Sequence, residues 1–147
     1  MSPAPTVNGQ VIGQAHYATR AVLERLLAGS GTTFHQCVAL NAIADSDGTI
    51  ERRRLADRMT ATLKIAGPAA ESTLSELVGA GLLAELPGSE PQLTLTAAGR
   101  ELHRTTSAGT AGITARLYAD LPAEDLATAG RVLTVVTARA NAVLAEG

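Results

Sequence analysis

Residues 51–100 read ERRRLADRMTATLKIAGPAAESTLSELVGAGLLAELPGSEPQLTLTAAGR, and the breaks in this stretch decide the fold. A helix is expected from residue 51 to about 63, and Gly67-Pro68 then restarts the chain. Pro68 suits the first position of a new helix, where its missing N–H costs nothing. That helix runs over 68–79 with Leu74, Leu77 and Val78 turned inward, and Gly79 and Gly81 close it. Residues 82–86 and 92–95 are short strand-like segments around Pro87-Gly88-Ser89-Glu90-Pro91, which predicts a hairpin. Thr96 is placed to cap the next helix.

Upstream, residues 1–6 carry two prolines and no periodicity, and read as a loose tail. Residues 7–28 place Val11, Ile12, Ala15, Val22, Leu23, Leu26 and Leu27 on one face at a period near 3.6, an amphipathic helix ended by Gly29-Ser30-Gly31. Thr33-x-x-Gln36 has the form of a capping box, so a second helix is expected over 34 to about 44, burying Phe34, Val38, Leu40 or Asn41, and Ile43. Asp45-Ser46-Asp47-Gly48 reads as a turn, with Thr49-Ile50 as a very short strand. Downstream, helices are expected over 97 to about 118 and from Leu121-Pro122-Ala123-Glu124-Asp125 to about 145; the second has proline at its start and acids in its first turn. No internal repeat is visible.

The expected order is helix, helix, helix, helix, hairpin, helix, helix. This is a mostly α chain: a winged helix-turn-helix over about 33–100, flanked by helices over about 8–28 and 97–146, in one domain spanning 1–147. The flanking helices are too apolar to stand alone in water, and a homodimer interface built from the two ends of the chain is the expected solution. Composition points the same way. Of 147 residues 46% are apolar but only 2% aromatic, so small aliphatic side chains must fill the core and a partner subunit would help complete it. The net charge of −2 neither favours nor excludes nucleic acid, and eleven arginines to one lysine reflects coding bias rather than mechanism. The single cysteine excludes an internal disulfide. No signal peptide and no membrane-length apolar run is evident, which makes the cytoplasm the expected compartment and a membrane partner unexpected.

Several strings resemble the MarR family of transcription regulators. Leu55-Ala56-Asp57-Arg58-Met59 is similar to its third helix. Leu77-Val78-Gly79-Ala80-Gly81-Leu82-Leu83 is similar to the end of its recognition helix. Leu93-Thr94-Leu95-Thr96-Ala97-Ala98-Gly99-Arg100 is similar to the segment after its wing, and Asp120-Leu121-Pro122-Ala123-Glu124-Asp125-Leu126 to the start of its last helix. The resemblance implies a dimeric repressor or activator whose affinity for double-stranded DNA is altered by a small ligand or by cysteine oxidation. Two features depart from it. The stretch between Ala56 and Leu82 reads longer than the family's, and nothing from Ile65 to Gly99 is Lys or Arg while Glu71, Glu76, Glu85 and Glu90 are acidic.

Phosphate neutralisation supplies most non-specific DNA affinity. The basic residues near the motif are Arg52, Arg53, Arg54, Arg58 and Lys64, and subtracting Glu51 and Asp57 leaves three positive charges. These are the expected phosphate contacts, with Ser72, Thr73 and Ser75 left to read bases. The alternative for Arg52, Arg53 and Arg54 is a solvated helix start, although arginines there oppose the helix dipole. Two functions follow: a DNA-binding regulator of weak or salt-sensitive affinity, or a winged-helix dimer that does not read DNA and acts through a protein or small molecule.

For a ligand, His16 and Arg20 share a helix face beside Tyr17, and His35 begins the next helix. With Arg116 or Tyr118 these would line a pocket for a small aromatic or anionic ligand; the alternative is ordinary polar surface. No metal or other cofactor is expected, because His35 and Cys37 point about 200° apart on a helix and no close ligand pair exists. Cys37, among Phe34, Val38 and Leu40, reads as a buried structural thiol rather than a redox sensor. There is no nucleophile elbow or phosphate-binding loop, and Glu124-Asp125 is explained by the helix dipole, so no catalysis is expected.

Overall fold

Local signals set where each helix begins and ends. In the computed structural model, which describes residues 4–147, the order is α1 (Gly9–Ala28), α2 (Phe34–Asp45), β1 (Thr49–Glu51), α3 (Arg52–Leu63), α4 (Gly67–Gly79), β2 (Leu83–Leu86), β3 (Gln92–Leu95), α5 (Ala97–Leu117) and α6 (Ala123–Ala145). Residues 1–3 of the expected tail lie outside the described residues. The Asn8 side chain caps α1 by accepting from the Val11 N–H at 2.9 Å. The capping box of α2 is complete: the Gln36 N–H donates to Thr33 Oγ1 at 3.1 Å, and Thr33 N–H donates to Gln36 Oε1 at 3.0 Å. Pro68 lies in the first turn of α4. At the far end of α4, the Leu82 N–H donates to Leu77 O and the Gly81 N–H to Val78 O, with Gly81 at φ +76°. That is a Schellman closure, and it requires a left-handed residue where glycine stands.

The hairpin is present, and the short strand expected at Thr49-Ile50 joins it as the third strand of the sheet. Its order is β1-β3-β2, antiparallel throughout, with Ile50 opposite Leu93 and Leu83 opposite Leu95. Thr49 and Thr94 share a hydroxyl hydrogen bond at 3.1 Å across the β1–β3 pair. Glu51, expected as the first helical residue, instead ends β1 and leaves α3 without a side-chain cap.

The core is aliphatic. Ala39, Leu40, Ala42 and Ile43 of α2 meet Leu55, Ala56 and Met59 of α3, Ala70, Leu74 and Leu77 of α4, and Ile50, Leu83, Leu93 and Leu95 of the sheet. Phe34 and Val38 are only half-buried, and Asn41 is exposed; Cys37, Ala39 and Ala42 take the inward places on α2. An all-aliphatic core holds small side chains, so the turn of α2 that fits against α3 and α4 is the alanine-rich one. Cys37 is buried, and desolvation pushes its thiol pKa up against a weaker opposing hydrogen bond from Asn41.

Packing divides the chain within α5, into one unit ending at Ile113 and another, Thr114–Gly147. The second unit holds the end of α5 and all of α6. No residue of α6 is buried, and Leu126, Leu133, Val135, Val136, Val143 and Leu144 are exposed apolar side chains along it. Among the described residues no helix is long and apolar enough to cross a membrane.

Thr96 and Gly99 tie the hairpin base to α5. The Gly99 N–H donates to Thr96 Oγ1 at 3.0 Å, and Thr96 Oγ1 donates to Gly81 O at 2.7 Å. A Cβ on Gly99 would collide with the carbonyl oxygen of Leu82. Gly99→Ala therefore forces backbone apart and is expected to destabilise by about 3 kcal/mol. Gly79→Ala, where a Cβ meets nothing within 4 Å, should be neutral or stabilise by about 0.5 kcal/mol. Urea unfolding of the two variants checks this, and equal midpoints would remove Gly99 from the account.

Candidate functional site

The expected nucleic-acid contacts lie on α3, at Arg52, Arg53, Arg54 and Arg58, at Lys64 just after it, and on α4 at Ser72, Thr73 and Ser75. The structure sorts the basic residues into different roles. Arg53 and Arg54 are exposed and have no ion-pair or hydrogen-bond partner among the described residues. Arg58 approaches Asp45 at 3.5 Å with both side chains largely exposed, a pairing that contributes little. Lys64 is exposed and closes α3 in the left-handed region at φ 58°.

Arg52 behaves otherwise. Its Nε lies 2.9 Å from Glu71 Oε2, its Nη1 2.6 Å from Glu85 Oε1, and its Nη2 3.1 Å from Ser75 Oγ. The side chain is 18% exposed, with its guanidinium engaged by two carboxylates and a hydroxyl. Of the three hydroxyls expected to read bases, Thr73 is buried and donates to Ala69 O at 3.0 Å. Ser75 accepts from Arg52, and Ser72 remains exposed.

A groove of about 540 Å³ runs between α1, α2 and α4, lined among others by Arg20, Phe34, His35, Ser72, Thr73 and Glu76. The Arg20 guanidinium stacks 4.1 Å from the Phe34 ring centroid and pairs with Glu24 at 2.7 Å. Gln36 Nε2 donates to Glu76 Oε1 at 3.4 Å, joining α2 to α4 across the lining. Arg20 and His35 of the expected ligand set thus come together. His16 and Tyr17 do not line the groove; their rings lie 5.5 Å apart at the α1 surface, with Tyr17 72% exposed. His16 shares the face of Arg20 but lies one turn nearer the start of α1, whereas the groove runs along Arg20, Glu24 and Ala28. Arg116 and Tyr118 belong to Thr114–Gly147. Sequence reasoning missed Phe34 and Glu76 as groove residues. The available signal was the position of Phe34, the only phenylalanine, in the first turn after the capping box, where an aromatic ring need not enter the core.

Compared by sequence, the chain matches no protein-family profile and no curated protein. Compared by structure, it is similar to Sco5413, a MarR family transcriptional regulator from Streptomyces coelicolor: 20% identity, 90% of this chain and 91% of that one, TM-score 0.75. A mutant MarR from E. coli complexed with operator DNA matches with 21% identity over 87% and 91% of the two chains, TM-score 0.74. CouR from Rhodococcus jostii RHA1, bound to p-coumaroyl-CoA, matches with 15% identity over 88% and 90%, TM-score 0.73. Matches spanning both chains nearly end to end, with six helices and a three-stranded winged sheet, establish that this chain has the winged helix-turn-helix fold of MarR family transcriptional regulators.

Proposed function

We propose that the chain is a transcription regulator that binds double-stranded DNA as a homodimer and is tuned by a small ligand. The observation that carries this reading is the structural likeness, spanning 87% of the chain, to a MarR variant held on operator DNA. Arg53 and Arg54 support it as unpartnered phosphate contacts at the start of α3, with Arg58 and Lys64 further along or beyond the same helix and Ser72 as the exposed hydroxyl on α4. With no Lys or Arg from residue 65 to 99, few phosphates are neutralised, so affinity is modest and its salt dependence shallow. Apolar side chains exposed along α6 support a second copy of the chain as partner. The groove supports a small aromatic or anionic ligand: Phe34 offers a ring and Arg20 a cation, and Ser72 and Glu76 belong to the helix that would face DNA. A ligand there binds one placement of α4 better than another and so shifts DNA affinity.

A second reading is favoured by one observation. Glu76 and Glu90 are exposed acids on α4 and the hairpin turn, where a DNA reader needs cations. On that reading the same dimer acts through a protein or small molecule and does not read DNA.

The deciding experiment is selection from a random double-stranded DNA library, followed by titration of the winner between about 50 and 200 mM salt. Sequence-specific binding is expected, and Arg53→Gln and Arg54→Gln should each lower the salt slope by about one without changing sequence preference. No specific binding at low salt, with or without a ligand, would leave the second reading. Sedimentation at micromolar concentration should give a dimer, and Leu133→Glu with Val136→Glu should shift it toward monomer; a monomeric parent protein would remove the dimer from the proposal. Aromatic carboxylates at about one hundred times their Kd should stabilise the protein by about 2.7 kcal/mol, an effect that Phe34→Ala abolishes. A thermal-shift panel with no upward movement would count against the groove.

A further inference from the structure

Two adjacent arginines at the start of α3 differ in a way that their sequence context does not explain. Arg53 points into solvent, while Arg52 is drawn in and spends its donors on three groups from two other elements. Glu71 and Ser75 are one turn apart on α4, and Glu85 lies on β2. The backbone of Arg52 joins in, its N–H donating to Pro91 O at 2.9 Å where the hairpin turn returns to β3. A planar guanidinium spreads its donors over three nitrogens and so meets three separated acceptors at once, whereas an ammonium gathers its three donors on one nitrogen.

We propose that Arg52 is a positioning residue that locks α4 to the hairpin, and not a contact to nucleic acid. Glu71 and Glu85 are then its counter-ions; the one guanidinium offsets one of their two charges, and both carboxylates stay about half exposed. The lock sits on the flank of α4 opposite the groove: Glu71 and Ser75 lie about 130° around the helix from the centre of Ala69, Ser72, Thr73 and Glu76. Anything that displaces α4 from the groove side therefore carries β2 with it.

The test uses the full chain and two readouts. The first needs no DNA: amide hydrogen exchange of β2 and β3 against α2 in Arg52→Gln, in Glu71→Gln with Glu85→Gln, in all three together, and in Arg52→Lys. Exchange in the hairpin should rise about tenfold in Arg52→Gln while α2 holds, and the triple variant should be no worse than Arg52→Gln alone. Arg52→Lys should not restore protection. The second readout rests on the DNA-binding reading above: Arg52→Gln should weaken binding at every salt concentration with the salt slope unchanged, whereas Arg53→Gln lowers the slope by about one. An additive triple variant, full rescue by lysine, or a slope that falls by about one in Arg52→Gln would overturn the proposal. If the parent protein binds no DNA, the exchange cycle decides alone, so failure of the DNA reading and failure of the lock are told apart. If Arg52→Gln does not fold, the paired glutamine variant of the two carboxylates carries the same test.

Discussion

The carbonyl of Leu82 is the point through which α4, the hairpin and α5 are joined. It accepts from the Thr96 N–H at 3.1 Å and from Thr96 Oγ1 at 3.1 Å, and α5 passes so close that residue 99 has no room for a Cβ. Leu82 itself is set by the Schellman closure of α4 one residue earlier. One short stretch of backbone therefore fixes where the helix stops, where β2 starts and at what approach α5 leaves the sheet. The aliphatic core depends on that closeness. Leu74, Leu77, Leu83 and Leu95 are short side chains that touch only if the elements carrying them are held near one another.

The charges on this frame are partly tied to one another rather than spread evenly over the surface. Four acids and no bases between residues 65 and 99 look prohibitive in one dimension. In three dimensions Arg52 reaches in from α3 and engages two of them, and in doing so it accounts for an arginine at a helix start, where the dipole disfavours it. The exposed charges left near α3 and α4 include Arg53, Arg54, Arg58 and Lys64 as cations and Glu76 and Glu90 as anions, with Ser72 as an exposed hydroxyl. Such a surface has little generic attraction for a polyanion, so discrimination would rest on the fit of α4 more than on charge.

The same helix borders the groove. Ser72, Thr73 and Glu76 line it while Glu71 and Ser75 face Arg52, so α4 is held between an adaptable cavity and a fixed ionic clamp. An element restrained on one side and open on the other is a natural place for a small molecule to bias a conformation. α6 poses a separate physical demand. A helix with no buried residue and exposed leucine and valine along its length costs free energy in water, which a second copy of the chain would offset.

Capping chemistry made most of the fold legible in the sequence. The Thr33–Gln36 box, Pro68 in a first turn, Gly81 at a left-handed stop and Thr96 before α5 act over three or four residues, and short-range sterics and backbone hydrogen bonds settle them whatever the rest of the chain does. Helical periodicity likewise marked Ile43, Leu74 and Leu77 as inward. The site was less legible because its contacts are remote. Arg52 and Arg53 are neighbours of one residue type, and only the arrival of Glu71 and Glu85, 19 and 33 residues away, separates a clamp from a free cation. Phe34 leaves the core for the groove because α2 turns its alanines inward, and Thr73 is buried because α4 turns that flank inward. The sequence by itself determined the elements and their order, since those follow from local backbone energetics. Which side chains meet, and hence which are free to act, was decided by tertiary packing, because a charge or hydroxyl takes its role from whatever the fold brings within about 3 Å of it.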